Sequence, residues 1–446
     1  MYQKYSLTEG SIWKSMLLFS LPVFLSNLLQ LFYDAFDAWT VGHFISDAAL
    51  AAVGSSGSLI YLLVGFFNGL SLGAGVVIAR LYGAKDYDNL RKAIHTAVIF
   101  GIVIGVFLTV AGVCCTPLIL RWMDTPAKVL PLSIEYFRIY FCGAIFVVMY
   151  NMFVGIFHAV GDSRHPLYYL IISTCANILL DLLFVGVFGW GVGSAAAATT
   201  ISQGISALLC MIHLLRSKEV YRLRLRELKF HMPSLGKIVK LGTPSGIQNS
   251  MISIANVFVQ SNINSFDAAA VAGCGAYSKL EGFAFLPVIC FSQALTTFVS
   301  QNLGANQPQR AKKGVVFGVL CGVLMAEFFG IIAYLFAPQL ITFFNDSPEV
   351  VDFGARHMRT ICLFYCLMAF SHCTAAVCRG LGKAVVPMYT MFACWCVIRI
   401  SYILLALPHF NSLETVSWAY PISWACSSIV FLIYYKTIDW KKAVRI

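Results

Sequence analysis

Twelve apolar runs of about 20 residues divide this chain, centred near Leu28, Gly65, Val103, Phe146, Leu179, Ser202, Ala255, Phe285, Leu324, Met368, Arg399 and Ser427. That is the length a helix needs to cross the roughly 30 Å hydrocarbon core. Inside a bilayer every backbone N–H and C=O must be bonded within the protein, so only helices and closed barrels span it. The runs lack the alternation of two that a barrel strand requires. Composition agrees: 59% of residues are hydrophobic and 11% charged, against roughly 25% charged in soluble domains. The expected fold is an all-α membrane protein with twelve transmembrane helices. The first run, from about Trp13, follows a short polar lead without a small-residue cleavage site and reads as an uncleaved span.

The net charge of +11 would suggest nucleic acid in a soluble protein, but its distribution points elsewhere. With twelve spans and an internal N-terminus, 24 of the 31 Lys and Arg fall on the cytoplasmic side, notably in "RSKEVYRLRLRELKFH". The positive-inside rule then puts both termini in the cytoplasm, as expected of a multi-pass plasma-membrane protein. No nucleic-acid partner is expected. The fifteen Cys lie almost wholly in apolar runs, with no zinc-type spacing, and read as small packing residues.

The chain also repeats itself. "IARLYGAKDYDNLRKA" from Ile78 aligns with "VSQNLGANQPQRAKKG" from Val299 at an offset of 221, and the same offset places Gly54 on Gly275. It places Gly161, Pro166 and Tyr168 of "HAVGDSRHPLYY" on Gly382, Pro387 and Tyr389, and Ile201-Ser202 on Ile422-Ser423, while Pro22 pairs with Pro244 at 222. Matched regions in one order over so many residues imply two homologous halves of six spans. An even number gives both halves the same orientation in the membrane, a transporter signature with the substrate path expected between them. The expected organisation is two pseudo-symmetric six-helix bundles, 1–220 and 241–446, joined by a basic cytoplasmic linker, 221–240.

Five carboxylates fall within the apolar runs: Asp34, Asp37, Asp181, Glu281 and Glu327. Intramembrane ionisable groups are functional candidates, because an ionised one costs about 2.5–3.5 kcal/mol even on insertion scales. Asn177 and Asp181 are four apart and share a helix face; Asp34 and Asp37, three apart, do likewise. Thr199 and Thr200 add hydroxyls. These hard oxygen ligands suit a small cation or a proton, not a soft transition metal. Asn177 and Thr199 can equally be polar residues that bond across a helix interface. Asp34 either shares a proton with Asp37 or faces water. Glu281 and Arg399, opposite charges within spans, are expected to pair, as a structural link or a second polar site. Glu327 is expected near a helix end or at an interface. Tyr33, Phe36 and Tyr150 are candidates to stack on flat cationic ligands.

Several stretches resemble the multidrug and toxic compound extrusion (MATE) family: "FYDAFDAWTVGHFISDAALAAVG", "GLSLGAGVVIARLYGAKD", "GIFHAVGDSRHP", "CRGLGKAVVP" and "GVGSAAAATTISQ". The resemblance covers essentially the whole chain. It implies a V-shaped pair of six-helix bundles that exports amphipathic, often cationic compounds in exchange for sodium ions or protons. It also implies a cation site in the first half, where the family's span-one Asp falls on Asp37, its span-five Asn and Asp on Asn177 and Asp181, and its span-six Thr on Thr199. Family members commonly carry Asn at the position of Asp34, so an acid there is a departure. The span-seven Glu of some members has no counterpart among Gln248, Asn249 and Ser250, and the repeat puts Ile398 and Tyr402 opposite Asn177 and Asp181.

The sequence therefore predicts a monomeric secondary antiporter. It holds no Walker-type nucleotide loop and no large soluble domain, so an ion gradient must supply the energy. No cofactor is expected beyond sodium or a proton as coupling ion, and no metal beyond sodium at Asp37, Asn177, Asp181 and Thr199. Enzymatic activity is not expected, since His43, His158 and His372 are scattered. The alternative is a flippase or exporter of a lipid-linked precursor or narrow-specificity metabolite; the scarcity of Lys and Arg inside spans argues against a multiply anionic headgroup.

Overall fold

A computed structural model describes residues 7–122, 125–126 and 129–445, without the side chains of residues 47–63 and 444–445. Lys4, counted above with the cytoplasmic charges, lies outside the described residues. The chain is built from α1 (Ile12–Phe44), α2 (Asp47–Gly83), α3 (Tyr87–Trp122), α4 (Leu130–Cys142), α5 (Ala144–Ala159), α6 (Arg164–Asp181), α7 (Val192–Arg216) and α8 (Met232–Ile263). The same order recurs from α8, the counterpart of α1, through α9 (Ala268–Gly304), α10 (Pro308–Leu335), a short α11 (Ala337–Thr342), α12 (Pro348–Cys362), α13 (Tyr365–Gly380), α14 (Val385–Met391), α15 (Arg399–Ala406) and α16 (Leu413–Thr437). π-helical turns at Leu182–Val187 and Phe392–Ile398 extend α6 and join α14 to α15.

Nine helices among the described residues are long and apolar enough to span a bilayer singly, and the bent pairs α4/α5 and α12/α13 raise the number to eleven. The twelfth expected span is α8, 32 residues long but more polar, carrying Lys237 and Lys240 in its first half and Gln248 and Asn249 just past its middle. Each expected span centre falls within one of these elements. Large apolar side chains such as Phe107, Leu179, Val187 and Leu405 face outward, as on a surface in contact with lipid.

The repeat is visible in the backbone. Lys85 and Asn306, 221 apart, are the only non-glycine residues with positive φ among the described residues, at 55° and 57°. Each closes a helix with an i to i−5 bond, Asp86 N to Leu81 O at 3.1 Å and Gln307 N to Asn302 O at 2.8 Å, which satisfies carbonyls that a helix end leaves open. Gly161 and Gly382 repeat the device at φ 86° and 80°. Span four is broken in both halves: α4 and α5 bend by 46° at Gly143, α12 and α13 by 53° at Leu363–Phe364. Phe364 stands 221 residues after Gly143. At the second bend Glu327 Oε2 accepts from the Cys366 N–H at 3.0 Å. A carboxylate there meets both an orphan donor and the positive end of α13, which explains one acidic residue in a span without transport chemistry.

Two compact units result, residues 21–243 and residues 7–20 with 244–445. In the first, α2 packs on α5, α3 on α4 and α5, and α6 on α7, around a core of Ile94, Met152, Phe153, Phe157 and Leu214. In the second, α9 packs on α10, α12 and α13, and α13 on α16, around Tyr277, Met358, Tyr365, Trp395 and Trp424. The unit boundaries fall within two residues of Pro22 in α1 and at Pro244 in α8; proline removes a helical hydrogen bond and is where a long helix changes course. The basic stretch is not loose chain. Tyr221 and Leu223 are buried in the first core, His95 Nε2 meets the Arg224 backbone at 3.1 Å, and Thr96 Oγ1 accepts from His231 N at 3.0 Å. Helix α8 begins at Met232. All fifteen cysteines are free.

In the first unit α2 and α8 meet through glycine: a Cβ on Gly73 would run into the backbone N of Gly242. Gly73→Ala should therefore destabilise the detergent-solubilised protein by about 1–3 kcal/mol, the usual range for overpacking. Gly236→Ala, which meets no atom within 4 Å, should instead stabilise it slightly, by about 0.5–1 kcal/mol through helix propensity. Thermal melting of the two variants beside the native chain checks the opposite signs.

Candidate functional site

Three helices of the first unit bring the expected residues together. Helix α1 turns Tyr33, Asp37 and Thr40 inward at i, i+4 and i+7, with relative exposures of 3%, 7% and 0%. Helix α6 contributes Thr174, Asn177 and Asp181 at i, i+3 and i+7, the last two completely buried. Helix α7 contributes Thr199 and Gln203, also buried. Ser173 Oγ donates to the Ser202 carbonyl at 2.6 Å and fixes α6 against α7. Asp181 is the last residue of α6, directly before the π-helical turn Leu182–Val187; such insertions often accompany functional positions.

Asp37 and Asp181 lie within side-chain reach of each other, Asn177 approaches Asp181, and Tyr33 approaches Thr199. None of these approaches has hydrogen-bond geometry. Tyr33 Oη, Asp37 Oδ1, both amide atoms of Asn177, both oxygens of Asp181 and Thr199 Oγ1 are buried without a hydrogen-bond partner. Among the described residues no Lys, Arg or His makes an ion pair with either aspartate. Each orphaned polar atom costs about 1–3 kcal/mol, and a charged one more. Two acceptor-only carboxylates side by side repel and cannot bond each other without a proton or cation between them. The oxygens of Asp37, Asp181, Asn177 and Thr199 match what a hard monovalent cation or a proton needs.

Not every expected residue joins this set. Asp34 sits on the exposed side of α1 and accepts from Gln30 Nε2 at 3.1 Å, a helical neighbour one turn away. Tyr33, expected to face a ligand, is instead inside the cluster, whereas Phe36 is half-buried and contacts Trp39. Tyr150 is packed in the first hydrophobic core. Thr40, Thr174 and Gln203 were not singled out from the sequence. Their helical spacings from Asp37, Asn177 and Thr199 were the available signal.

The second unit holds a different polar assembly, and the expected Glu281–Arg399 ion pair is not made. Arg399, 1% exposed, donates from Nε and Nη2 to Ser423 Oγ at 3.1 and 2.8 Å, and from Nη1 to Asn256 Oδ1 at 3.1 Å. Its guanidinium carbon lies 4.5 Å from the Tyr420 ring centroid and 5.1 Å from that of Trp395, cation–π distances. Glu281 Oε1 accepts from Tyr277 Oη at 2.9 Å, and Tyr277 lies 3.2 Å from Tyr365 Oη. Each charge thus has its own neutral partners, which removes the need for direct pairing.

Paired six-span halves, repeated in sequence and backbone, with a buried carboxylate pair in one of them, define a multi-pass membrane transport protein. The MatE family profile matches residues 22–183 and 244–405, one match per half, and the chain belongs to this family. It is 31% identical over 446 residues to "Probable multidrug resistance protein YoeA" of Bacillus subtilis, covering 98% of this chain and 96% of that one. It is 27% identical over 443 residues to "Probable multidrug resistance protein YpnP" of the same organism, covering 98% of each. Among solved structures, an outward-facing multidrug resistance MATE family transporter of the MOP superfamily superimposes with a TM-score of 0.91 at 22% identity, over 100% of this chain and 99% of that one. Members of the family are transport proteins, not enzymes.

The unsatisfied carboxylate pair has a measurable consequence. Asp181→Asn removes one buried charge, so in sodium-free buffer at pH 8 the variant should melt above the native protein, by the equivalent of about 1–3 kcal/mol. Sodium chloride or acidification should raise the native melting temperature and move the variant less. Equal melting behaviour under all conditions would mean that the pair is already compensated.

Proposed function

We propose that this protein is a secondary antiporter that exports amphipathic, cationic drugs or metabolites in exchange for sodium ions or protons. It acts as a monomer in the plasma membrane with both termini cytoplasmic. The observation that carries this reading is the buried Asp37–Asp181 pair, which makes no ion pair among the described residues while its neighbours offer oxygen ligands. The names of the relatives, multidrug resistance proteins, support the substrate class.

The cycle follows from the electrostatics. An ion entering from outside is held by Asp37 and Asp181, with Asn177 and Thr199 completing its oxygen shell. Neutralising the pair removes the repulsion between α1 and α6 and lets α1 settle against α6 and α7. Pro22, where α1 already lacks a hydrogen bond, absorbs the change in direction. The substrate-binding preference then differs between ion-loaded and ion-free states, as coupling requires. One charge moving through 100 mV supplies about 2.3 kcal/mol, so one ion per cycle supports a modest concentration gradient. Arg399 and Glu281 serve as a second polar site in the other half, while Tyr33 belongs to the ion cluster and Phe36 contacts the substrate. Asp34, one turn from Asp37 on the exposed face of α1, adds negative charge that draws cations toward the pair.

Purified protein in liposomes, loaded with a fluorescent cationic dye, tests this. Efflux should follow an imposed sodium or proton gradient, and whichever gradient drives it names the coupling ion. Asp37→Asn and Asp181→Asn should each lower gradient-driven efflux by at least about tenfold, equivalent to ~1.4 kcal/mol, while dye binding persists. Asp34→Asn should lower it far less. Undiminished efflux by the Asp37→Asn/Asp181→Asn double variant would sink the assignment, and no dye movement under either gradient would shift the reading to a lipid-linked or narrow metabolite substrate.

A further inference from the structure

A second cluster of ligating side chains lies in the first unit, at the turn between α5 and α6 and the last turn of α7. Asp162, His165 and His213, all partly buried, each offer a ligand atom, and these atoms lie within 4.8 Å of one another. They are held in place. Asp162 Oδ1 accepts from the backbone N–H of Arg164 and of His165, both at 3.2 Å. Asp162 Oδ2 lies 2.6 Å from His165 Nδ1. The His165 and His213 ring centroids are 4.3 Å apart, and Phe157 packs edge-on against His213 at 5.1 Å. His213 Nδ1 lies 2.7 Å from Tyr169 Oη, an outer contact of the kind that fixes the ring and tautomer of a metal-binding histidine.

The repeat shows that the fold itself does not call for these groups. At the offset of 221, Asp162, His165, Tyr169 and His213 correspond to Lys383, Val386, Thr390 and Tyr434. The turn has the same backbone, with Gly161 at φ 86° and Gly382 at φ 80°. The i to i−5 bonds also match, Asp162 N to Phe157 O and Lys383 N to Cys378 O, both at 2.9 Å. In the second half Lys383 Nζ lies over the Tyr434 ring at 5.7 Å, so a simple cation–π contact closes the corner. The first half has two imidazoles and a carboxylate there instead.

We propose that Asp162, His165 and His213 form a binding site for a divalent transition metal of the zinc class, with a fourth position open to water. Two nitrogens and one carboxylate oxygen are the donor set such ions favour, and three protein ligands plus water complete a tetrahedron. Metal–ligand distances of about 2.0–2.2 Å put tetrahedral ligand atoms about 3.4 Å apart, so the 2.6 Å Asp162–His165 contact widens on binding while separations of up to 4.8 Å close. Binding displaces the proton shared by His165 and Asp162, because ligands coordinate in their deprotonated form. The ion cross-links the α5–α6 turn to the end of α7, the helix that also carries Thr199. The site is separate from the Asp37–Asp181 cluster and does not depend on the transport reading.

Cobalt(II) is the probe, because its absorption reports the ligand set. Full-length protein in detergent is treated with N-ethylmaleimide to silence its cysteines and then titrated with Co2+. One ion per chain should bind, giving ligand-field bands of a nitrogen–oxygen site without a thiolate charge-transfer band. His165→Gln/His213→Gln should lose the bound ion. Tyr169→Phe keeps all three ligands and should weaken binding about 10–100-fold, as removal of an outer partner does. Should the histidine variant elute as aggregate, the Tyr169→Phe titration decides alone. Failure of the native chain to hold stoichiometric Co2+, retention by the histidine variant, or equal affinity in Tyr169→Phe would each overturn the proposal.

Discussion

Two carboxylates in one helical bundle, buried together and without a positive partner, set the terms for the rest of this molecule. Asp37 and Asp181 are both buried, and among the described residues no Lys, Arg or His makes an ion pair with them. The pair is tolerable only when something positive joins it. Its neighbours are suited to that role: an amide and two hydroxyls, each buried and unbonded. A fully satisfied network would rigidify the bundle. In the antiport proposed above, an unsatisfied one gives α1, α6 and α7 a conformational preference that depends on occupancy.

The scaffold around the cluster is governed by the bilayer. With no water to bond loose backbone groups, each break in a span needs its own remedy. At the α4/α5 bend a glycine allows the Thr200 side chain to approach. At the equivalent α12/α13 bend the remedy is a carboxylate on the Cys366 N–H. Helix ends at Lys85 and Asn306, and at Gly161 and Gly382, close with the same left-handed residue and the same long-turn hydrogen bond. Duplication has thus preserved backbone devices while side chains diverged.

That divergence makes the halves chemically unlike. The first buries acids without cations. The second buries a cation, Arg399, outside any ion pair, and distributes its charge over Ser423, Asn256 and two aromatic faces. Glu281 is held within a tyrosine pair instead. The α5–α6 corner shows the same pattern, with ligating groups in one half and a lysine over an aromatic ring in the other.

Much of this was legible in the residues. Apolar runs of membrane length fixed the number of spans, because a bilayer leaves helices few alternatives, and the 221-residue offset exposed the two halves. Helical spacing placed Asn177 and Asp181 on one face, and the cost of an intramembrane acid marked Asp37. The MATE resemblance linked span one to spans five and six, which spacing alone could not do. Only the tertiary structure separated Asp34 from Asp37: three residues are about 60° apart on a helix, and α1 buries the side of Asp37 that carries Tyr33 and Thr40, which leaves Asp34 at the exposed edge. Only it drew Tyr33 into the cluster and kept Glu281 and Arg399 apart, each with its own neutral partners. Likewise Asp162 and His165, close in sequence, gained His213 from another helix, since periodicity describes one helix and says nothing of which helices meet.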